Sequence, residues 1–233
     1  MASIVDSIRS VYQDNYSLLK LGAFSYIMYM LYSMMSFKSE SFNFINFVVF
    51  LIIFYLYGGF CCIIIGNRIR QDIQTLPGAN LVQYVNVATK AFVIAIPSLL
   101  IGYLLGNLVV SMFSFESIPQ MITIWIIRFF VFVTMITAYI NFAEKYQLSE
   151  GFNVPKILNG VADVMVYTVV CLIVLLIYSV FIVAPTLFLI YNFFKFGPLF
   201  NYAAIFFVTL NLAFLSDYWG QLHFDIESRN NYY

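Results

Sequence analysis

Charged residues are scarce in this chain. Asp, Glu, Lys and Arg make up 9% of its 233 residues, whereas they make up about a quarter of an ordinary soluble domain. Hydrophobic residues make up 63% and occur in long runs, with the charges in the gaps between them. A run of about 20 apolar residues is what a helix needs to cross a bilayer. The composition therefore excludes an ordinary soluble protein and predicts an all-α, polytopic transmembrane helical bundle.

Excess positive charge and patterned cysteines are also absent. The 11 basic residues balance 11 acidic ones, so no global basic character favours nucleic acid as a partner. The three cysteines, Cys61, Cys62 and Cys171, lie inside apolar runs without the spacing of a disulfide framework or a zinc site. We therefore expect buried thiols, no cofactor, no metal and no nucleic-acid partner.

Motifs of catalysis are missing as well. The sequence contains no H-E-x-x-H, no glycine-rich phosphate loop and no pair of carboxylates inside one apolar run, and without these groups an enzyme is the least supported class. His223, Asp225 and Glu227 alternate near the C-terminus, where an extended segment would point them to one side. One histidine with two exposed carboxylates is a poor metal site, so we expect a solvated tail.

Six apolar segments predict six spans joined into one compact bundle. Residues 1–20 have apolar residues at helical spacing, which predicts a cytoplasmic amphipathic helix on the membrane surface. They lack the basic start, apolar centre and small-residue cleavage site of a signal peptide, in that order, so we expect them to remain in the mature protein. Residues 221–233 predict a polar cytoplasmic tail. The predicted spans are residues 21–37, 42–66, 91–113, 118–142, 161–192 and 199–220.

The basic residues indicate the orientation of these spans. Outside them, only Lys38 and Lys195 fall on the side opposite to the termini. The positive-inside rule therefore predicts that both termini are cytoplasmic. The basic residues on the predicted inner side are Arg9, Lys20, Arg68, Arg70, Lys90, Lys145, Lys156 and Arg229.

Small residues and prolines within the spans predict where helices pack and bend. Glycines on a membrane helix let a neighbouring backbone approach closely, and a proline inside a helix removes a hydrogen bond and favours a kink. The predicted hinges are Pro97 and Pro185. The predicted packing glycines are Gly58, Gly59, Gly66, Gly102 and Gly106.

Several short motifs occur in a defined order over nearly the whole chain. They are Leu19-Lys20-Leu21-Gly22, Gly58-Gly59, Arg68 and Arg70 with Leu76-Pro77, Ala88-Thr89-Lys90-Ala91-Phe92, Phe142-Ala143-Glu144, Gly151-Phe152 and Gly220-Gln221. In this order they resemble the prokaryotic membrane proteins of the domain of unknown function 4013 family. The resemblance implies a multi-pass protein of a bacterial or archaeal cytoplasmic membrane, and it implies no particular activity.

Arg128 is the most informative single residue, because it lies within the fourth predicted span. A charge at mid-helix costs about 2.5–3.5 kcal/mol on insertion scales and usually faces the bundle interior or water. One interpretation is a site for an anion or a lipid headgroup. The other, which we favour from the sequence, is a structural arginine bound to carbonyls or hydroxyls or extended towards the membrane surface.

Arg68, Arg70 and Asp72 form a second candidate site in the most basic connection. Arg68 and Asp72 are spaced i, i+4, so they could pair on a helix that extends past the bilayer. The group could bind an anionic lipid or a partner subunit. Equally, it could simply hold this connection on the inner side.

These observations favour a non-catalytic accessory or scaffold component of a membrane complex. Its expected partners are the lipid bilayer and either another membrane protein or a second copy of the chain. The alternative is a permease-like or lipid-handling protein, which Arg128 and the two proline-containing spans support. The two hypotheses differ in whether Arg128 is needed for a response to a ligand.

Overall fold

The computed structural model describes residues 2–35, 44–78, 80–112, 118–195 and 197–230, and these residues are organised almost entirely as helices. A π-helical turn, Ser179–Val183, joins α7 to α8. The helices are α1 Ile4–Gln13, α2 Ser17–Ser33, α3 Phe44–Ile69, α4 Leu81–Met112, α5 Ile118–Lys145, α6 Leu148–Gly151, α7 Val154–Tyr178, α8 Ala184–Phe194 and α9 Gly197–Asn230.

The all-α membrane class predicted from the sequence is confirmed. Within the described residues, five segments are long and apolar enough to cross a membrane: Phe44–Ile69, Leu81–Ser111, Gln120–Lys145, Val154–Phe193 and Gly197–Phe224. The first predicted span corresponds to α2, whose 17 residues measure about 26 Å against a hydrocarbon core of about 30 Å. Five of the six predicted spans thus correspond to helices long enough to cross the hydrocarbon core, and α2 is slightly too short.

The long helices alternate in direction. Gly58 of α3 adjoins Tyr139 of α5, and Gly66 adjoins Ala143, so α3 and α5 run parallel. Tyr57 shares a hydrogen bond of 3.0 Å with Thr209, and Gly220 adjoins Arg68, so α9 runs parallel to them. The contact of Gly59 with Ala88 and the ring contact of Phe54 with Phe92 make α4 antiparallel to α3. Helices α2 and α7 also run opposite to α9.

The end of the bundle at which α3, α5 and α9 meet α1 is densely packed, and we call it the charged end because most of the described ion pairs lie there. Residues 58–67 of α3, 135–143 of α5 and 213–223 of α9 are buried without interruption. A helix buried on every side needs neighbours all round. In contrast, the opposite halves of α4, α5, α7 and α8 expose large apolar side chains, as lipid-facing surface does.

Several helix boundaries differ from the predicted segments. Helix α1 ends at Gln13 rather than near residue 20, because Asp14 leaves the helix and α2 begins at Ser17. The polar tail predicted from residue 221 is helical to Asn230, and Gln221 and His223 are buried. The reason is that Gln221 donates hydrogen bonds to Ser7 of α1 and to Asp217. Helix α4 also starts at Leu81, ten residues before the predicted span.

Pro97 and Pro185 occupy different environments. Pro97 lies inside α4, which is helical from Leu81 to Met112. Pro185 is in the first turn of α8, directly after the π-helical turn. A proline cannot donate its backbone hydrogen bond and clashes with the carbonyl four residues earlier. The wider π turn is one of the local adjustments that accommodate such a residue in a membrane helix.

Candidate functional site

Arg68 lies beside a carboxylate that is completely buried. The side chain of Asp217 is 0% exposed, and its Oδ1 is 3.8 Å from Arg68 Nε. Ser10 Oγ donates to the same carboxylate at 3.2 Å, and Gln221 Nε2 donates at 3.0 Å. A buried charge is stable only when it is paired and hydrogen-bonded. Asp217 therefore fixes α1 and α3 to α9, and Arg68 serves this structural contact.

Arg70 lies across the end of α5. Its guanidinium is 4.7 Å from the centre of the Tyr146 ring and donates to Tyr146 Oη at 3.0 Å and to Asn67 Oδ1 at 2.9 Å. Planar arginine combines stacking with several directed hydrogen bonds, which lysine cannot do. Burial raises the pKa of the Tyr146 phenol, although the hydrogen bond and charge of Arg70 oppose the shift. The phenol is therefore a neutral hydroxyl at physiological pH.

The predicted pairing of Arg68 with Asp72 is wrong. Helix α3 ends at Ile69, and Gln71 has a left-handed backbone with φ of 57°. Asp72 is thus no longer one helical turn beyond Arg68, and its Oδ2 instead accepts a hydrogen bond from Arg70 Nε at 3.2 Å. The three residues are close together, as predicted, but each is engaged differently.

The connection after α3 is held firmly against α1. The carboxylate of Asp14, 0% exposed, forms an ion pair with Lys20 and accepts the backbone N–H of Leu76 at 2.7 Å. Thr75 Oγ1 lies 2.7 Å from Ser10 Oγ, and the carbonyl of Thr75 accepts from Asn67 Nδ2. Side chains that satisfy loop backbone groups in this way restrict the loop to one conformation. We call residues 71–75 the Ile73 loop.

Ile73 projects from this loop into solvent. Its side chain is 95% exposed, next to a polar cavity of about 680 Å³ at the charged end. Single exposed apolar residues are common, but this one is presented by a loop whose neighbours are fixed by buried hydrogen bonds. The cavity carries both signs of charge, from Asp6, Arg9, Asp14, Arg68 and Asp72.

A separate ionic cluster closes the turn between α5 and α7. Lys156 Nζ lies 2.9 Å from a carboxylate oxygen of Glu144 and 3.6 Å from one of Glu150. Lys145 also reaches both carboxylates. These groups are partly exposed, so each pair contributes little by itself. The cluster nevertheless neutralises the charges of the turn locally.

The glycines predicted to pack helices divide into two groups. A Cβ built on Gly59 would lie 2.5 Å from Ala88 Cβ, and one built on Gly66 would lie 2.9 Å from the carbonyl oxygen of Ala143. Gly58 meets Tyr139 at 3.2 Å, and Gly102 meets Val131 at the same distance. Gly106 has nothing within 4 Å, so the described helices give it no packing contact.

Arg128 lies in a second cavity, between the halves of α4 and α5 that are far from the charged end. This cavity of about 570 Å³ is mainly apolar. Among the described residues, no carboxylate lies within ion-pair distance of Arg128, and its guanidinium is 5.6 Å from the centre of the Trp125 ring. The structure therefore separates the candidate residues, because Arg68, Arg70 and Asp72 belong to the charged end and Arg128 does not.

Sequence reasoning missed two residues that organise the charged end, Asp14 and Asp217. The available signal was a carboxylate within or beside an apolar helix, since such a residue requires a partner. Asp217 stands in this position in the sixth predicted span. Its partners come from α1 and α3, which the sequence does not connect to it.

Comparisons with known proteins add no further assignment. A scan against family models, a search of curated proteins and a search of solved structures each returned no match. The chain is therefore described by its own geometry, as an all-α protein with several helices able to span a membrane.

Proposed function

We propose that this protein is a non-catalytic accessory or scaffold component of a membrane complex, and that the Ile73 loop contacts a partner protein. The observation that carries the proposal is the combination of a fixed loop with an almost completely exposed apolar tip. Loops held on a rigid scaffold are frequent sites of binding. The contact costs little conformational entropy because the loop is already ordered.

The chemistry of the charged end supports binding rather than catalysis. Arg68, Asp14 and Asp217 join helices, and Arg70 donates to the carbonyl of Ala143 at the end of α5. The same end is packed without interruption across three parallel helices, so a solute path through the bundle would have to open this core. This packing favours the accessory role over a permease.

The partner that fits this surface is a protein segment with an apolar pocket for Ile73 and polar groups of both signs around it. The rim of the cavity carries Asp6, Arg9 and Asp72, so a purely cationic or purely anionic partner would meet repulsion. Opposite potentials across an interface mainly set specificity. A second copy of this chain is the other occupant that the test distinguishes.

The cellular placement is part of the same proposal. The positive-inside rule puts the charged end in the cytoplasm, and the resemblance to the domain of unknown function 4013 family suggests a prokaryotic cytoplasmic membrane. The Ile73 loop would then meet a cytoplasmic segment of the partner. Lipid handling is the second candidate function, and the cavity at Arg128 is the observation that favours it.

The test compares two acidic substitutions at exposed apolar residues. Ile73→Glu changes the tip of the loop, whereas Leu81→Glu changes a residue that is 76% exposed in the first turn of α4, where an acidic side chain is favourable. Each protein is purified from native membranes in mild detergent through a C-terminal tag, and co-purifying proteins are identified by mass spectrometry. A photoreactive amino acid at position 73 identifies the partner by direct crosslinking.

We expect a stoichiometric partner with the wild type and with Leu81→Glu, and its loss with Ile73→Glu. Crosslinking from position 73 should label that same protein. Crosslinks only between copies of this chain would establish a homo-oligomer instead. Retention of the partner by Ile73→Glu would contradict the proposal, as would a solitary wild-type protein.

A further inference from the structure

The cavity beside Arg128 is a groove that the bundle itself leaves open. Helices α4 and α5 touch where Gly102 meets Val131, but one turn further along α4 Gly106 has nothing within 4 Å. The groove lies between the halves of α4 and α5 that are far from the charged end, and Phe54 of α3 also lines it. Its volume of about 570 Å³ is within the usual range for a small-molecule site. The groove lies within the lipid-facing part of the bundle, so an acyl chain can reach it.

Arg128 gives this apolar groove a charged group. It is ten residues after the start of α5 at Ile118, which places its Cα about 15 Å along the helix axis from that end. Its guanidinium is close to Trp125, three residues earlier. The side chain is therefore directed away from the charged end, towards the membrane interface at the start of α5, as helical side chains lean towards the N-terminus. Trp residues are typical of that interface.

We propose that the groove binds one anionic phospholipid, whose phosphate is held by Arg128 and whose acyl chain occupies the apolar part of the groove. A guanidinium forms charge-assisted, often bidentate hydrogen bonds with phosphate oxygens. Tyr103 and Asn107 also line the groove, and they supply a hydroxyl and an amide for the headgroup. This site is distinct from the protein contact at Ile73, so either assignment can fail without the other.

An anionic lipid matches the groove better than a zwitterionic one. In the described part of the chain, no carboxylate is within ion-pair distance of Arg128, so a net negative headgroup neutralises the charge in a region of low dielectric. Phosphatidylcholine carries a compensating cation next to its phosphate, which would sit against the guanidinium. The groove also requires an acyl chain, which free phosphate lacks.

The test measures lipid binding to the full chain in detergent by native mass spectrometry. Phosphatidylglycerol is titrated against phosphatidylcholine of the same acyl chains, and inorganic phosphate is added in a separate series. Arg128→Gln removes the charge, and Gly106→Leu fills the groove while Arg128 stays. Lys195→Gln is the matched control, because Lys195 is an exposed basic residue at the end of α8 outside the groove.

We expect the wild type and Lys195→Gln to retain one phosphatidylglycerol in preference to phosphatidylcholine. Arg128→Gln should bind it about ten- to hundredfold more weakly, as expected for loss of a hydrogen bond to a charged group. Gly106→Leu should also weaken binding with the arginine intact, and its melting temperature should match that of the wild type because nothing crowds Gly106.

Three results would overturn the assignment. Equal phosphatidylglycerol affinity in the wild type and Arg128→Gln would show that the guanidinium does not hold the headgroup. An equal loss in Lys195→Gln would show diffuse attraction to surface charge. Displacement of the lipid by millimolar inorganic phosphate, with no effect of Gly106→Leu, would show an anion site that does not use the groove.

Discussion

Replacement of Gly59 by alanine tests a close backbone contact between α3 and α4. The added Cβ would lie 2.5 Å from Ala88 Cβ and 3.0 Å from the Cα of the same residue, whereas carbon atoms pack at about 3.5–4.0 Å. The obstacle is backbone and a fully buried alanine, so no flexible side chain can move aside. Helices α3 and α4 would have to separate by roughly 1 Å, which disturbs a core packed at crystal-like density.

The size of the effect follows from two opposing contributions. Overpacking of a close contact costs about 1–3 kcal/mol, while a helical Gly→Ala change by itself favours the helix by up to about 1 kcal/mol. The net fall in the free energy of unfolding of Gly59→Ala should therefore be up to about 2 kcal/mol. Gly106→Ala is the matched control, because it makes the same chemical change within a helix where nothing lies within 4 Å.

The chain carries its own probe for this measurement. Cys61, Cys62 and Cys171 are free and buried, so a thiol-reactive fluorescent dye reports exposure of the core as detergent-solubilised protein is heated. We expect Gly59→Ala to melt below the wild type and Gly106→Ala to melt at or slightly above it. If Gly59→Ala melted as high as Gly106→Ala, the inferred contact between α3 and α4 would be refuted.

Three further predictions address the charged end, the buried tryptophan and the orientation. Asp217→Ala should lower the free energy of unfolding by about 2–4 kcal/mol, because it removes a buried hydrogen-bonded charge. In the same melting assay, the control Asp72→Ala should lower it by less than about 1 kcal/mol, because that carboxylate is 46% exposed. Trp219→Phe should lower the free energy of unfolding by about 1–3 kcal/mol, because Trp219 is 1% exposed and donates a hydrogen bond to Thr168 at 3.1 Å. Trp125 is 64% exposed, so an equal loss in Trp125→Phe would contradict this. A membrane-impermeant thiol reagent should label Lys195→Cys in intact cells and label Ile73→Cys only after permeabilisation, since both residues are exposed; the reverse pattern would overturn the orientation.

The predictions from sequence succeeded where a property depends on one segment at a time. A membrane helix satisfies its own backbone hydrogen bonds, so an apolar run of sufficient length indicates a span without knowledge of its neighbours. This is why α3, α5 and α9 were located within a few residues of their observed starts. The approach of another helix at Gly59 could also be anticipated, because paired glycines leave room for a backbone.

The predictions failed where a polar residue finds its partner on another helix. The pairing of Arg68 with Asp72 was inferred from spacing along the chain, but the left-handed turn at Gln71 separates them. The tail was predicted to be solvated because residues after 220 are polar, yet Gln221 is buried against Ser7. Polarity along the chain does not show which helix will cover a residue.

The sequence by itself determined the class, the approximate spans and the bias of basic residues to one side, because these properties follow from local hydrophobicity and charge. Only the tertiary structure decided which polar groups are paired within the bundle and which can contact a ligand. Arg68 is joined to the buried Asp217, whereas Arg128 faces a groove that Gly106 leaves open. Both outcomes depend on the rotation and register of whole helices, which are set by packing over their full length.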